Sequence, residues 1–238
     1  MKKVLCIGDS LGLPRDGVPY EATWFYKLKK AFPDFDFIDK FQRGQLINMA
    51  LRKFDSDYKV YAPNIVILEI GICDCAPRYI NDNAIGWKVI LKLLNKMGIE
   101  SLFWLFLKKA FKRSANTVYT KPHFFEKGLF SLVKSFFEIG VDYIFIIQIP
   151  HVSGRAMEKS PFFNANIEKY NSIFSKLQMS FEDKIKLIDP LHNPLDEYYL
   201  SDGYHCKEEG MNKVYASLFK LFCDVGDMSL NNNTNSHV

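Results

Sequence analysis

The chain has 238 residues, 48% of them hydrophobic, and a net charge of +4 that includes 27 acidic residues. This length suits one α/β domain carrying an insertion, and the apolar content excludes a disordered or fibrous chain. A mild charge of mixed sign gives no ground for a nucleic-acid partner.

Met1-Lys2-Lys3 followed by apolar residues imitates the start of a signal peptide, but the apolar run breaks at Gly8-Asp9, too soon for an export leader. Residues 3–7 therefore read as an opening β-strand. Residues 23–32 place Trp24, Phe25, Leu28 and Phe32 on one helical face, and Pro33-Asp34 ends that helix. A second strand is expected over 35–41 and a helix over 44–54. The most apolar run, 65–72, is rich in β-branched residues, as a central strand covered on both faces should be. A helix from about 83 to 97 comes next. Strands at 141–149 and 184–188 flank a helix at 165–179, and a last helix over 207–224 carries Met211, Val214, Leu218 and Phe222 on one stripe. Alternating strands and helices imply a parallel sheet with right-handed crossovers.

The domain is expected to span 1–228, with an insertion near 99–128 and a polar, disordered tail over 229–238. Within the insertion, residues 102–107 are bulky and apolar, and Lys108, Lys109, Lys112 and Arg113 follow them. Such a segment suits a membrane-surface contact. The expectation, however, is a helix that packs its aromatic side chains on the body and solvates its lysines. No run approaches the roughly 20 apolar residues that span a bilayer. Five cysteines, at 6, 73, 75, 206 and 223, form no disulfide framework. Reduced thiols in a cytoplasmic protein are expected. The spacing of Cys73, Cys75 and Cys206 is not that of a zinc site, so neither a metal nor a cofactor is expected. Abundant Lys, Asn, Ile and Phe fit a bacterial, AT-rich genome.

Two short strings at opposite ends of the chain carry chemistry. Gly8-Asp9-Ser10-Leu11 places Ser10 on the loop after the first strand, where open α/β sheets hold their sites. Asp202-Gly203-Tyr204-His205 places a carboxylate three residues before a histidine. That spacing lets Asp202 reach Nδ1 and leaves Nε2 free to accept a hydroxyl proton. Ser10, His205 and Asp202 thus form a candidate nucleophile, base and orienting group. His151 follows a strand and is a candidate pocket residue, as are Arg43 and Arg78, whose forks suit a carboxylate or phosphate. Asp74 is expected to brace its loop, with pocket lining as a second possibility.

With these motifs the chain resembles the SGNH hydrolases, the GDSL family of esterases and lipases. Ser10 matches the family nucleophile, and Asp202 and His205 match its Asp-x-x-His block. Gly44, in Phe41-Gln42-Arg43-Gly44, resembles the glycine that gives an oxyanion-hole N–H, alongside the Ser10 N–H. The stretch 66–74 resembles the strand followed by Gly-x-Asn-Asp, except that Cys73 stands where the family carries its oxyanion-hole Asn. A thiol is a weak donor in that role, and Gln42, Gln45 and Asn48 are candidate substitutes. The resemblance implies a three-layer α/β/α domain with a five-stranded parallel sheet in flavodoxin-like order 2-1-3-4-5. It also implies a serine esterase acting through a Ser10 acyl-enzyme, on short acyl esters such as carbohydrate O-acetyl groups. A carbohydrate O-acyltransferase using the same triad is the alternative, and a non-catalytic binding protein on a decayed hydrolase fold is the second. The sequence does not indicate an oligomeric state.

Overall fold

The computed structural model describes residues 1–234 except Lys112, Arg113 and Pro194, with side chains described as far as Asp224. Five strands, β1 (Lys2–Gly8), β2 (Phe35–Phe41), β3 (Ile65–Glu69), β4 (Tyr143–Ile147) and β5 (Ile185–Ile188), form one parallel sheet in the order β2-β1-β3-β4-β5. Period-two alternation divides the core between the faces of this sheet. Leu5, Ile7, Val66, Leu68, Ile144 and Ile146 belong to one cluster, and Val4, Cys6, Ile65, Ile67, Phe145 and Ile147 to the other. A strand interior with both faces apolar needs helices on both sides, and the chain supplies them.

On one side lie α1 (Trp24–Ala31) and the long C-terminal helix, which pack together. Thr23 caps α1 by accepting the Tyr26 N–H at 3.3 Å. On the other side lie α2 (Ile47–Lys53), a short helical turn α3 (Ile72–Cys75), α6 (Pro122–Glu138) and α8 (Phe163–Phe181). Phe125, Leu129, Leu132, Val133 and Phe136 of α6 are fully buried against this face. Two helices, α4 (Ile85–Lys96) and α5 (Glu100–Ala110), stand between α3 and α6, and the short α7 (Gly154–Lys159) precedes α8. The last helix is α9 (Glu208–Thr234).

Three expectations change. The excursion from the body is the α4–α5 hairpin, closed at its neck by reciprocal backbone bonds between Arg78 and Thr117. It therefore begins and ends before the expected 99–128, and α6 belongs to the body. The continuous apolar run 65–72 does not stay a strand. At Gly71 the backbone takes φ +120°, which an L side chain rarely adopts, and a Cβ there would lie 2.6 Å from Ile149 Cδ1. The chain turns there into α3. Finally, α9 continues past Asp224 to Thr234, so the expected disordered tail is helical over 229–234. The remainder of that tail, 235–238 with His237, lies outside the described residues, as do Lys112 and Arg113 of the basic run.

Candidate active site

Parallel strands end together, so the loops after β1, β2 and β3 converge at one edge of the sheet, and the loop before α9 folds back to meet them. Ser10 Oγ lies 3.0 Å from His205 Nε2. On the other side of the imidazole, Nδ1 lies 2.5 Å from Asp202 Oδ2. Asp202 Oδ1 in turn accepts the backbone N–H groups of Tyr204 at 3.1 Å and His205 at 3.0 Å. One carboxylate thus shapes the loop with one oxygen and fixes the imidazole with the other. Gly203 permits the turn: its φ is +86°, and a Cβ would approach Ser153 Oγ to 2.5 Å.

The electrostatics suit a neutral base beside a charged carboxylate. Burial pushes the His205 pKa below its ordinary value, against the pull of Asp202. Burial would raise Asp202, but hydrogen bonds from the His205 ring and from the His205 and Tyr204 N–H groups outweigh it and hold that carboxyl low. Near neutral pH Asp202 is therefore ionised and His205 unprotonated, with Nε2 open to receive a proton.

Ser10, Cys73, Arg78 and Tyr204 line a cavity of 270 Å³, together with Ser160 and Phe163 from the α7–α8 segment. Cys73 lies against the Gly44 N–H and the Asp9 carboxyl. Burial, with the nearby Asp9 and Asp74, pushes its thiol pKa up, so it stays protonated and is no rival nucleophile. Arg78 stacks on the Tyr119 ring, 3.7 Å from its centroid.

Other candidates are placed elsewhere. Arg43 Nη2 donates to the Pro14 carbonyl at 2.9 Å, which ties two loops together. The His151 ring is engaged by Glu168 at 2.5 Å and by the His192 carbonyl at 3.1 Å, and it does not line the Ser10 cavity. Asp74 is fully buried and accepts the Ile47 N–H at 3.2 Å, so it braces the start of α2. Gln45 is fully buried and its Nε2 donates to the Tyr58 hydroxyl, while Gln42 Oε1 accepts from Lys53 Nζ; neither side chain lines the Ser10 cavity.

Sequence reasoning missed Arg15 and Glu69. Arg15 Nη2 donates to the Ser10 carbonyl at 2.5 Å and fixes the nucleophile loop. Glu69, buried at the end of β3, accepts the Trp24 indole N–H and sits under the same loop, where a Cβ on Gly12 would meet its Oε2 at 2.5 Å. An acid inside the run 65–72 was the available sign of Glu69; Arg15 left none. Asp9 lies behind Ser10: its Oδ1 accepts the Leu11 N–H at 2.9 Å, and its buried Oδ2 has no partner among the described residues. Burial raises the Asp9 and Asp74 carboxyls to about 7 and pushes Glu69 up as well, with the nearby Asp74 charge adding to the rise of Asp9 and the Asp9 charge to that of Glu69.

No protein-family model and no curated protein matches the chain. Solved structures do. A lipase/acylhydrolase from Enterococcus faecalis aligns over 92% of this chain and 94% of its own, with a TM-score of 0.63 at 15% identity. The chain has the SGNH hydrolase fold. A catalytic mutant of an acetylxylan esterase from Geobacillus stearothermophilus aligns over 92% of this chain and 93% of its own, with a TM-score of 0.62 at 14% identity. Another acetyl xylan esterase gives the same score at 16% identity over 92% of this chain and 98% of its own. Identities this low establish the fold alone.

Proposed function

We propose that the protein is a serine ester hydrolase that removes short acyl groups, carbohydrate O-acetyl groups among them, through an acyl-enzyme on Ser10. The observation that carries this reading is the Ser10 Oγ to His205 Nε2 distance of 3.0 Å with Asp202 held on the far ring nitrogen. His205 Nε2 takes the hydroxyl proton as Oγ bonds to the ester carbonyl carbon, and Asp202 stabilises the imidazolium formed. The donors for the developing oxyanion are the backbone N–H groups of Ser10 and Gly44, the pair that the resemblance to the SGNH hydrolases implies. His205 then returns the proton to the departing alcohol as the carbon–oxygen bond breaks, leaving Ser10 acylated. Water repeats the sequence and releases the acid.

The size and lining of the cavity support a small polar ester: 270 Å³ with Arg78, Ser160 and Tyr204 in the wall. The acetyl xylan esterases among the structural neighbours support an acetylated sugar. Labelling by a fluorophosphonate tests the reading, with the modified peptide identified by mass. The label is expected on Ser10 in the wild type and absent in Ser10→Ala and His205→Ala, alongside release of acetate from an acetylated xylo-oligosaccharide by the wild type alone. A wild type that neither labels nor releases acetate would sink the proposal. Product analysis with an added acceptor sugar separates hydrolysis from acyl transfer.

A further inference from the structure

The α4–α5 hairpin leaves many of its apolar side chains in solvent. Helix α4 buries none of its residues and α5 buries only Leu107. The two helices satisfy each other instead: the Trp87 and Phe103 rings pack 6.1 Å apart, and the Trp104 indole N–H donates to Glu100 Oε1 at 3.2 Å. Outside this seam, Ile85, Val89 and Leu93 recur at one helical turn on α4, each more than half exposed. On α5, Leu102, Leu105 and Phe106 are 63%, 62% and 63% exposed. The expectation that the aromatic side chains of this segment pack on the body fails for Phe106, which stands in solvent, and for Phe103, whose ring packs on Trp87 of α4.

Charge decides what would cover this surface. Lys88, Lys92 and Lys96 form an exposed row beside the apolar stripe of α4, and Lys108 and Lys109 close α5. None of these five lysines has an ion-pair partner among the described residues. Glu100 is the only acid on either helix. A second copy laid face to face would bring lysine rows together, whereas anionic headgroups would neutralise them while the acyl region takes the apolar stripe. No described helix is long and apolar enough to cross a membrane, so the hairpin would lie on the surface.

We infer that the α4–α5 hairpin docks the protein on an anionic lipid bilayer. Docking there would hold the Ser10 cavity close to the headgroups. Arg78 at the neck of the hairpin lines that cavity, and Trp104 of α5 lines an adjoining one of 210 Å³ that shares Pro77, Arg78 and Ser160 with it. The inference stands on the exposed surface alone and does not depend on the chemistry of Ser10.

The test is flotation of the full chain with vesicles of two parts phosphatidylcholine to one part phosphatidylglycerol, and with phosphatidylcholine alone, at low and high salt. The wild type should float with the anionic vesicles only, and high salt should release it. A lysine near such a surface contributes about fivefold to partitioning, so Lys88→Gln/Lys92→Gln/Lys109→Gln should lose on the order of a hundredfold. Leu102→Ser/Leu105→Ser/Phe106→Ser should abolish flotation. Both variants should keep the wild-type Tm, because the altered side chains are exposed. A wild type that stays unbound, or variants that bind like it, would overturn the inference. So would sedimentation velocity showing a dimer that the serine variant disperses in a protein that ignores vesicles, which would make the face a contact between copies.

Discussion

The loop end of the sheet and the α4–α5 hairpin are built by opposite rules. Around Ser10, the triad and its supports are tied by hydrogen bonds: Asp202 to the His205 ring and two N–H groups, Arg15 to the Ser10 carbonyl, Asp74 to α2. Apolar side chains there lie inside. In the hairpin, rings pair with one another across a thin seam, and Ile85, Val89, Leu93, Leu102, Leu105 and Phe106 face outward. A site must hold a few atoms to within a fraction of an ångström, and buried, cross-linked loops do that. A docking surface needs exposed area and charge, and a hairpin closed at one neck provides both without disturbing the site. The difference implies that substitutions in the two regions act on different measurements.

The largest effect is expected from Asp202→Asn. Loss of the charged partner leaves the imidazolium unstabilised and favours the wrong tautomer, so kcat/KM for an aryl acetate should fall roughly 10,000-fold, with the fold intact. The wild-type pH profile sharpens the same point. A base works unprotonated, so activity should rise with pH through the His205 pKa, and burial places that midpoint below the ordinary histidine value of 6.5. An acid limb centred above 6.5 would mean that another group controls the rate.

Packing gives the next contrast. Leu129 on α6 is fully buried, so Leu129→Ala should cost about 2–5 kcal/mol in urea unfolding. Leu105→Ala on the hairpin should stay within about 0.5 kcal/mol of wild type. Equal losses would show that the hairpin surface is covered in the folded protein, and the comparison would fail.

Much of this architecture was legible in the sequence, because a buried parallel sheet writes continuous apolar runs and its helices write stripes. The strands at 35–41 and 185–188 fall within a residue of expectation. Ser10, Asp202 and His205 were named from short strings, and the chain brings them within hydrogen-bond reach of one another. Helix α6 was not read. Gly128 in its middle looked like a boundary, yet it marks the close approach of α2: a Cβ there would lie 3.1 Å from Ile47 Cγ1. Arg43 and Arg78 looked equivalent because both sit on loops near the site. In the fold they differ: Arg43 donates to the Pro14 carbonyl, whereas Arg78 lines the cavity. The exposure of α4 and α5 was hidden for a related reason: periodicity reveals an apolar face but not whether anything covers it.

Cys73 offers a finer probe of the site. In this structure the side chain at that position is a neutral thiol, which offers an oxyanion a weaker donor than an amide. Cys73→Asn is expected to raise kcat by up to about a hundredfold, with little change in KM, if the new amide reaches the oxyanion. Steady-state kinetics on an aryl acetate would check it. Unchanged kcat would mean that a third donor is already in place.

A last contrast concerns the pH dependence of stability, and it comes from the acids buried at the loop end of the sheet. Asp9 and Asp74 have carboxyls raised to about 7 by burial, and Glu69 is raised as well. An acid whose folded pKa lies above its unfolded value binds more protons folded than unfolded between those two values. Stability therefore declines as pH rises from about 4 to 7 and levels off above the folded pKa. Tm should be higher near pH 5 than near pH 8, the reverse of a protein held together by ionised carboxylates. Asp9→Asn keeps an oxygen for the Leu11 N–H and removes the titrating proton, so it should flatten this slope and raise Tm at the alkaline end. Calorimetric scans across that range decide it. A wild-type Tm that rises with pH would show that these carboxyls are ionised where they lie.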